Sequence, residues 1–158
     1  MTDFVYKEMF PLAEDATVYR CLSQAFVETE TFQSRPVLKI APEGLTLLTE
    51  NAFRDVSHLL RTAHMQQLAK ILGDPEASDN DRYVALEMVK NAVIAADMEY
   101  PMCHDTGTAI VMGKKGQQVW TWFDDAEALS KGVFNAYTGG NLRYSQNAPL
   151  SMFEEVNT

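Results

Sequence analysis

Between Tyr100 and Thr108 the chain reads Tyr-Pro-Met-Cys-His-Asp-Thr-Gly-Thr, a run that gathers a thiol, an imidazole, a carboxylate and two hydroxyls beside one glycine. Each has a defined chemical use. Cys103 as a thiolate can ligate a metal, Asp105 can accept or relay a proton, and Gly107 lets the backbone approach a bound anion with no Cβ in the way. Adjacent side chains of an extended segment point to opposite faces, so Cys103, His104 and Asp105 cannot all converge on one atom. Two readings of the run therefore stand side by side. One is a site at the entrance to a strand, held by a rigid frame; the other is a buried cysteine followed by an Asx turn at Asp105-Thr106-Gly107.

The elements that must position this run are legible from periodicity. Pro42 and Glu43 open a helix, favourably placed at its positive end, and Leu45, Leu48, Ala52, Phe53, Val56, Leu59 and Leu60 follow at helical spacing. A second helix is expected over roughly 62–72, presenting Met65, Leu68, Ala69 and Leu72 and stopping at Gly73. Ser78 and Asp81 form a capping-box pattern before a third helix, whose inward stripe is read as Tyr83, Leu86, Val89, Val93 and Ala96. Upstream, Tyr19–Leu22, Phe26–Phe32 and Pro36–Ile40 suit a small antiparallel meander with one wet side. Downstream, Thr108–Met112 and Gln118–Phe123 read as strands joined by Gly113-Lys114-Lys115-Gly116, a hairpin signal. Asp124 or Asp125 then caps a fourth helix carrying Leu129, Val133, Phe134 and Tyr137, ended by Gly139-Gly140. The fold class is α+β: a helix-rich single domain over 1–158, with an extended arm over 1–16, a small antiparallel sheet and a β-hairpin after the Cys103 segment.

Composition narrows the functions. The chain carries 22 acidic and 13 basic residues, a formal charge of −9, and no basic run longer than Lys114-Lys115, which argues against nucleic acid or an anionic membrane as partner. No apolar run approaches the ~18 residues of a membrane span and no charged-then-apolar leader opens the chain, so the expected setting is the cytoplasm. Its two cysteines, Cys21 and Cys103, are read as reduced thiols. His58 and His64 suit packing or helix ends better than metal, and Met65, Met88, Met98 and Met112 are read as core filler.

Four blocks carry a resemblance. They are Pro42-Glu43-Gly44-Leu45-Thr46-Leu47-Leu48, the stretch from Asp74 to Leu86, Cys103-His104-Asp105-Thr106-Gly107-Thr108-Ala109-Ile110-Val111, and Asn141-Leu142-Arg143-Tyr144-Ser145-Gln146-Asn147-Ala148-Pro149-Leu150. In that order they make the chain similar to the N-terminal part of a class I, iron-sulfur fumarate hydratase, most weakly before about Arg35. Members of that family are several times longer and catalyse the reversible hydration of fumarate to (S)-malate.

The resemblance implies that Cys103 is one of three thiolates holding a 4Fe-4S cluster, whose remaining iron acts as a Lewis acid, the other two ligands lying downstream of Thr158. It implies that Arg143 clamps a carboxylate of fumarate or malate, a guanidinium offering two parallel donors, and that His104 and Asp105 bind substrate, with Asp105 also taking part in catalysis. Two departures stand out. His104 occupies the place where the family carries glutamine, and Trp120-Thr121-Trp122-Phe123 stands where Trp-Thr-Gly-Gly is usual. The implied partners are the missing C-terminal portion or subunit and a second copy in a homodimer. The isolated chain is expected to lack the cluster and to be inactive. The alternatives are a related hydro-lyase such as tartrate dehydratase, which the blocks around Arg143 disfavour, and a noncatalytic truncated paralogue or interaction module.

Overall fold

The computed structural model describes residues 3–8, 18–143 and 145–157. Residues 3–8 are exposed and without regular structure, and the rest of the stretch read as an arm over 1–16 lies outside the described residues. Strands β1 (Val27–Phe32) and β2 (Arg35–Ile40) pair antiparallel from Val27 opposite Ile40 to Phe32 opposite Arg35. The turn between them holds Gln33 and Ser34 both at positive φ, 47° and 64°. That mirror-image geometry matches the strands' right-handed twist. The stretch Tyr19–Leu22 is not a strand; it runs beside the first helix, to which Arg20 is tied through Asp55 at 2.8 Å.

Four helices follow the expected boundaries: α1 (Pro42–His58), α2 (Thr62–Gly73), α3 (Asp79–Ala95) and, after β3 (Val119–Thr121), α4 (Asp125–Gly139). Pro42 stands in the first turn of α1, where its missing N–H removes no intrahelical bond. The Ser78 capping box is formed in both directions, at 3.2 Å from the Asp81 N–H to the Ser78 hydroxyl and 2.9 Å from the Ser78 N–H to the Asp81 carboxylate. Asp124 caps α4 by accepting from the N–H groups of Ala126 and Glu127. A short antiparallel pair, β4 (Asn147–Pro149) and β5 (Glu155–Asn157), closes the described chain.

The hairpin expected after the Cys103 segment is absent. Thr108–Met112 makes no ladder, and β3 instead pairs parallel with β2, Leu38 opposite Val119 through Ile40 opposite Thr121, giving a mixed sheet of order β1-β2-β3. The free edge of β2 captures the strand that a local hairpin would have used. Phe32, Trp120 and Trp122 lock this arrangement edge-to-face, with ring centroids 5.2 Å and 6.0 Å apart.

Two helix pairs carry the packing: α1 on α4 and α2 on α3. The first is held by small and hydroxylated residues. Thr49, Ala128, Gly132 and Ala136 are buried, the Thr46 hydroxyl donates to the Ala128 carbonyl at 3.0 Å, and Asn135 Nδ2 donates to Glu50 at 3.0 Å. The face of α1 is therefore rotated from the expected leucine stripe, and Leu48 and Val56 are exposed. A similar shift occurs in α3. Ala85, Ala92 and Ala95 face inward while Tyr83 and Val93 are 63% and 62% exposed, because α2 approaches along the alanine row. Among the described residues the buried apolar side chains are mostly alanines, and the largest fully buried side chain is His58. Met88 and Met112 are exposed rather than core filler.

A Cβ added at Gly132 would stand 2.5 Å from the Thr46 carbonyl oxygen and 2.7 Å from the Thr49 Cβ, whereas one added at Gly139 meets nothing within 4 Å. Gly132→Ala is expected to destabilise the chain by about 1–3 kcal/mol in denaturant titration despite the gain in helix propensity, and Gly139→Ala to be neutral or slightly stabilising. At the other helix pair, the hydrogen bonds from the Ser78 hydroxyl and then its N–H hold the Asp81 carboxyl below the usual carboxylate range. A depressed folded-state value stabilises above the unfolded value and is lost as pH falls through the folded one. Ser78→Ala should therefore melt lower than the parent at neutral pH, with the gap narrowing in acid, as thermal melts across pH would record.

Candidate functional site

The run from Pro101 to Thr108 is anchored at its start and open afterwards. Pro101 is buried. The Met102 N–H donates to the Ser57 carbonyl in the last turn of α1 at 2.9 Å, and the Met102 carbonyl accepts from Asn91 Nδ2 on α3 at 2.8 Å. Cys103, His104 and Asp105 are then exposed. The Asp105 N–H donates to Cys103 Sγ at 3.3 Å, and Asp105 Oδ1 accepts from the next N–H, that of Thr106, at 3.0 Å. This is not the Asx turn, which would reach Gly107. The buried-cysteine alternative is likewise excluded by the exposure of the thiol.

Beyond Gly107 the chain passes over the α1–α4 pair. Gly107 and Ala109 share a hollow of about 430 Å³ with Val133, Phe134 and Tyr137 of α4. Ile110 to Gly116 line a second, of about 510 Å³, with Leu45, Phe53 and Leu129. The two lysines of the turn are engaged by carboxylates. Lys115 reaches Asp125 at 2.6 Å and Lys114 reaches Glu8 at 3.0 Å. The hydrogen bond from Lys115, then that from Thr121, holds the Asp125 carboxyl below the usual range.

The loop carrying Arg143 is fastened on both flanks, to the end of the same run and to the residues just ahead of it. Asn141, at a φ of 55°, donates through Nδ2 to the Glu99 carbonyl at 3.3 Å, and Gln146 Nε2 donates to the Thr108 hydroxyl at 3.2 Å. Ser145 and Asn157 exchange hydrogen bonds at 3.1 Å and 2.8 Å, joining the loop to β5. Arg143 is exposed, and among the described residues nothing pairs with its guanidinium; Tyr144 lies outside them. His58 is 1% exposed with Nδ1 2.7 Å from the Arg54 carbonyl, a packed helix-end residue, and His64 is exposed on α2.

Residues 46–158 match the family described as fumarate hydratase (Fumerase). The chain belongs to the fumarate hydratase family. The aerobic class I fumarate hydratase of Escherichia coli K12 is 56% identical over 155 residues, which cover 98% of this chain and 28% of that protein. The anaerobic class I enzyme of the same strain is 54% identical with the same coverage, and fumarate hydratase 2 of Leishmania major is 52% identical over 136 residues, 86% of this chain and 24% of that relative. The chain thus spans less than a third of the length of these relatives.

The residues present suit one corner of a metal cluster. Cys103 offers an accessible sulfur that accepts the Asp105 N–H, but among the described residues no three His, Cys, Asp or Glu side chains are grouped to hold a metal ion. Cys21 is exposed on a segment with no regular structure and joins no such group. The residues that composition and periodicity did not single out are Asn91 and Ser57, which hold the carbonyl and the N–H of Met102, the residue preceding the thiol. Neither carries a sequence signal, since a polar residue on an exposed helix face and a backbone carbonyl look ordinary.

With both cysteines accessible, a thiol reagent should titrate two equivalents in the folded chain without denaturant. A Cys21→Ser chain is expected to give one equivalent, and a native chain that reacts only on unfolding would contradict the exposed sulfur.

Proposed function

We propose that this chain is the N-terminal part of a class I fumarate hydratase, contributing Cys103, His104, Asp105 and Arg143 to a site completed by the remainder of a longer polypeptide. The observation that carries the reading is that the Arg143 loop is fastened at both ends of the Cys103 run, through Gln146 on Thr108 and through Asn141 on Glu99 just ahead of it, in a chain 56% identical to an enzyme of that name. In this reading Cys103 is one thiolate ligand of a 4Fe-4S cluster. When bound, the cluster supplies a Lewis acid for the substrate's oxygens through the iron that lacks a protein ligand. Arg143 binds a carboxylate of fumarate or malate with two parallel N–H groups, favoured by a guanidinium free of described partners. His104 donates a hydrogen bond to the substrate from its exposed imidazole. Asp105 has Oδ1 engaged by the Thr106 N–H, which leaves Oδ2 to orient a hydroxyl or water and to take part in proton transfer.

The isolated 158 residues are proposed to be catalytically silent, because one thiol cannot hold a cubane cluster. The exposed apolar side chains, among them Met112 at 84%, support a covering by the missing portion and a homodimeric whole. Free, exposed cysteines and the absence of any described helix long and apolar enough to cross a membrane suit a cytoplasmic setting.

Anaerobic reconstitution with iron and sulfide, followed by bound iron and the decay of fumarate absorbance, tests this. The isolated chain should retain no cluster and show no turnover, while the complete polypeptide should show both. In the complete polypeptide, Cys103→Ser should abolish cluster retention; Arg143→Lys should keep it and lower kcat/KM by roughly ten- to hundred-fold, chiefly through KM, as loss of a bidentate pair implies. Cluster and parental turnover in Cys103→Ser would overturn the assignment.

A further inference from the structure

Met102 is held at both of its backbone polar groups, by the Ser57 carbonyl on its N–H at 2.9 Å and by Asn91 Nδ2 on its carbonyl, in the peptide it shares with Cys103, at 2.8 Å. Because α1 packs chiefly on α4, and α3 on α2, Met102 is a joint between the two helix pairs, directly before the thiol. The two grips differ in origin. The Ser57 carbonyl is one of those that any helix C-terminus leaves without an intrahelical partner. Asn91 is a side chain, and the bond exists only because that residue carries a donor. On the other side of Cys103 no regular element begins until Val119, and the local restraint is the Asp105 N–H on the sulfur at 3.3 Å.

We propose that Asn91 is a positioning residue for Cys103. Its amide fixes the peptide that precedes the thiol and thereby sets where the sulfur is offered to a ligand partner. This rests on the reading of Cys103 as a cluster ligand. A carbonyl can be held only by a donor, so an aspartate of the same shape fails, placing at neutral pH an acceptor-only carboxylate against the Met102 oxygen. Asn91 is itself exposed, and the α2–α3 seam buries Leu68, Ala85, Ala92 and Ala95, so its replacement leaves that packing in place.

Backbone chemical shifts and residue-resolved amide exchange of the 158-residue chain test the proposal without iron. In Asn91→Asp and Asn91→Ala, loss of the bond to the Met102 carbonyl should loosen the residue and lower the protection of its N–H, still bonded to Ser57, by up to about five-fold, the equivalent of one ordinary hydrogen bond, with shift changes confined to Met102–Asp105 and its contacts. Amides within α2 and the α1–α4 seam should keep theirs, and Asn91→Gln, which retains a donor, should recover part of the loss. Unchanged protection at Met102, or a loss spread evenly through the helices, overturns the proposal. In the complete polypeptide the rate of iron uptake during reconstitution separates the two levels. Asn91→Asp should slow uptake by about five-fold while Cys103→Ser prevents it. Parental uptake in Asn91→Asp overturns the positioning role, whereas uptake in Cys103→Ser overturns the ligand reading itself.

Discussion

The close approach of α1 and α4 at Gly132 is the constraint on which the rest of the structure depends. With hydrogen in place of a side chain, the backbone of α4 comes within reach of the α1 main chain at Thr46 and Glu50. At that separation leucines have no room, and the seam is filled by Thr46, Thr49, Ala128 and Ala136. The threonine hydroxyls satisfy themselves on carbonyls, Thr46 across the seam on Ala128 and Thr49 on Leu45, so their burial leaves no donor unpaired. Phe53 and Tyr137, with ring centres 6.1 Å apart, widen the contact toward the far end.

That seam fixes the last turn of α1, and the last turn of α1 fixes the site run. Ser57 presents its carbonyl to the Met102 N–H, Asn91 donates to the carbonyl of the same residue, and Cys103 follows immediately. The downstream run is held by its two neighbours, the α4 hollow under Gly107 and Ala109 and the Arg143 loop through Gln146. A thiol, a carboxylate, an imidazole and a guanidinium are thus carried on irregular chain whose position is set by helix ends, with regular elements as the frame.

The core is thin for a chain of this size. Alanines dominate what is buried, while Ile110, Met112, Phe134, Tyr100 and Val93 are exposed. Such a distribution leaves apolar stabilisation unused, since large apolar side chains contribute most when removed from water. It accords with a chain that spans about 28% of the length of its Escherichia coli relatives.

Local chemistry determined much of this protein without help from the fold. Pro42, the Ser78–Asp81 box and Asp124 set helix starts by satisfying or removing backbone N–H groups within a few residues, and Gly73 and Gly139-Gly140 mark ends, so all four helices were legible. The four blocks, two of which hold Cys103 and Arg143, likewise announced the family in the primary structure. Tertiary structure decided what depends on partners distant in sequence. It turned α1 and α3 onto their small residues, because helix separation is set by the smallest side chain at the crossing and not by the most apolar stripe. It sent β3 to β2 in place of Thr108–Met112, because an open edge presented earlier in the chain competes with any local hairpin. And it gave Asn91, on a helix face with nothing to distinguish it, the carbonyl beside the thiol.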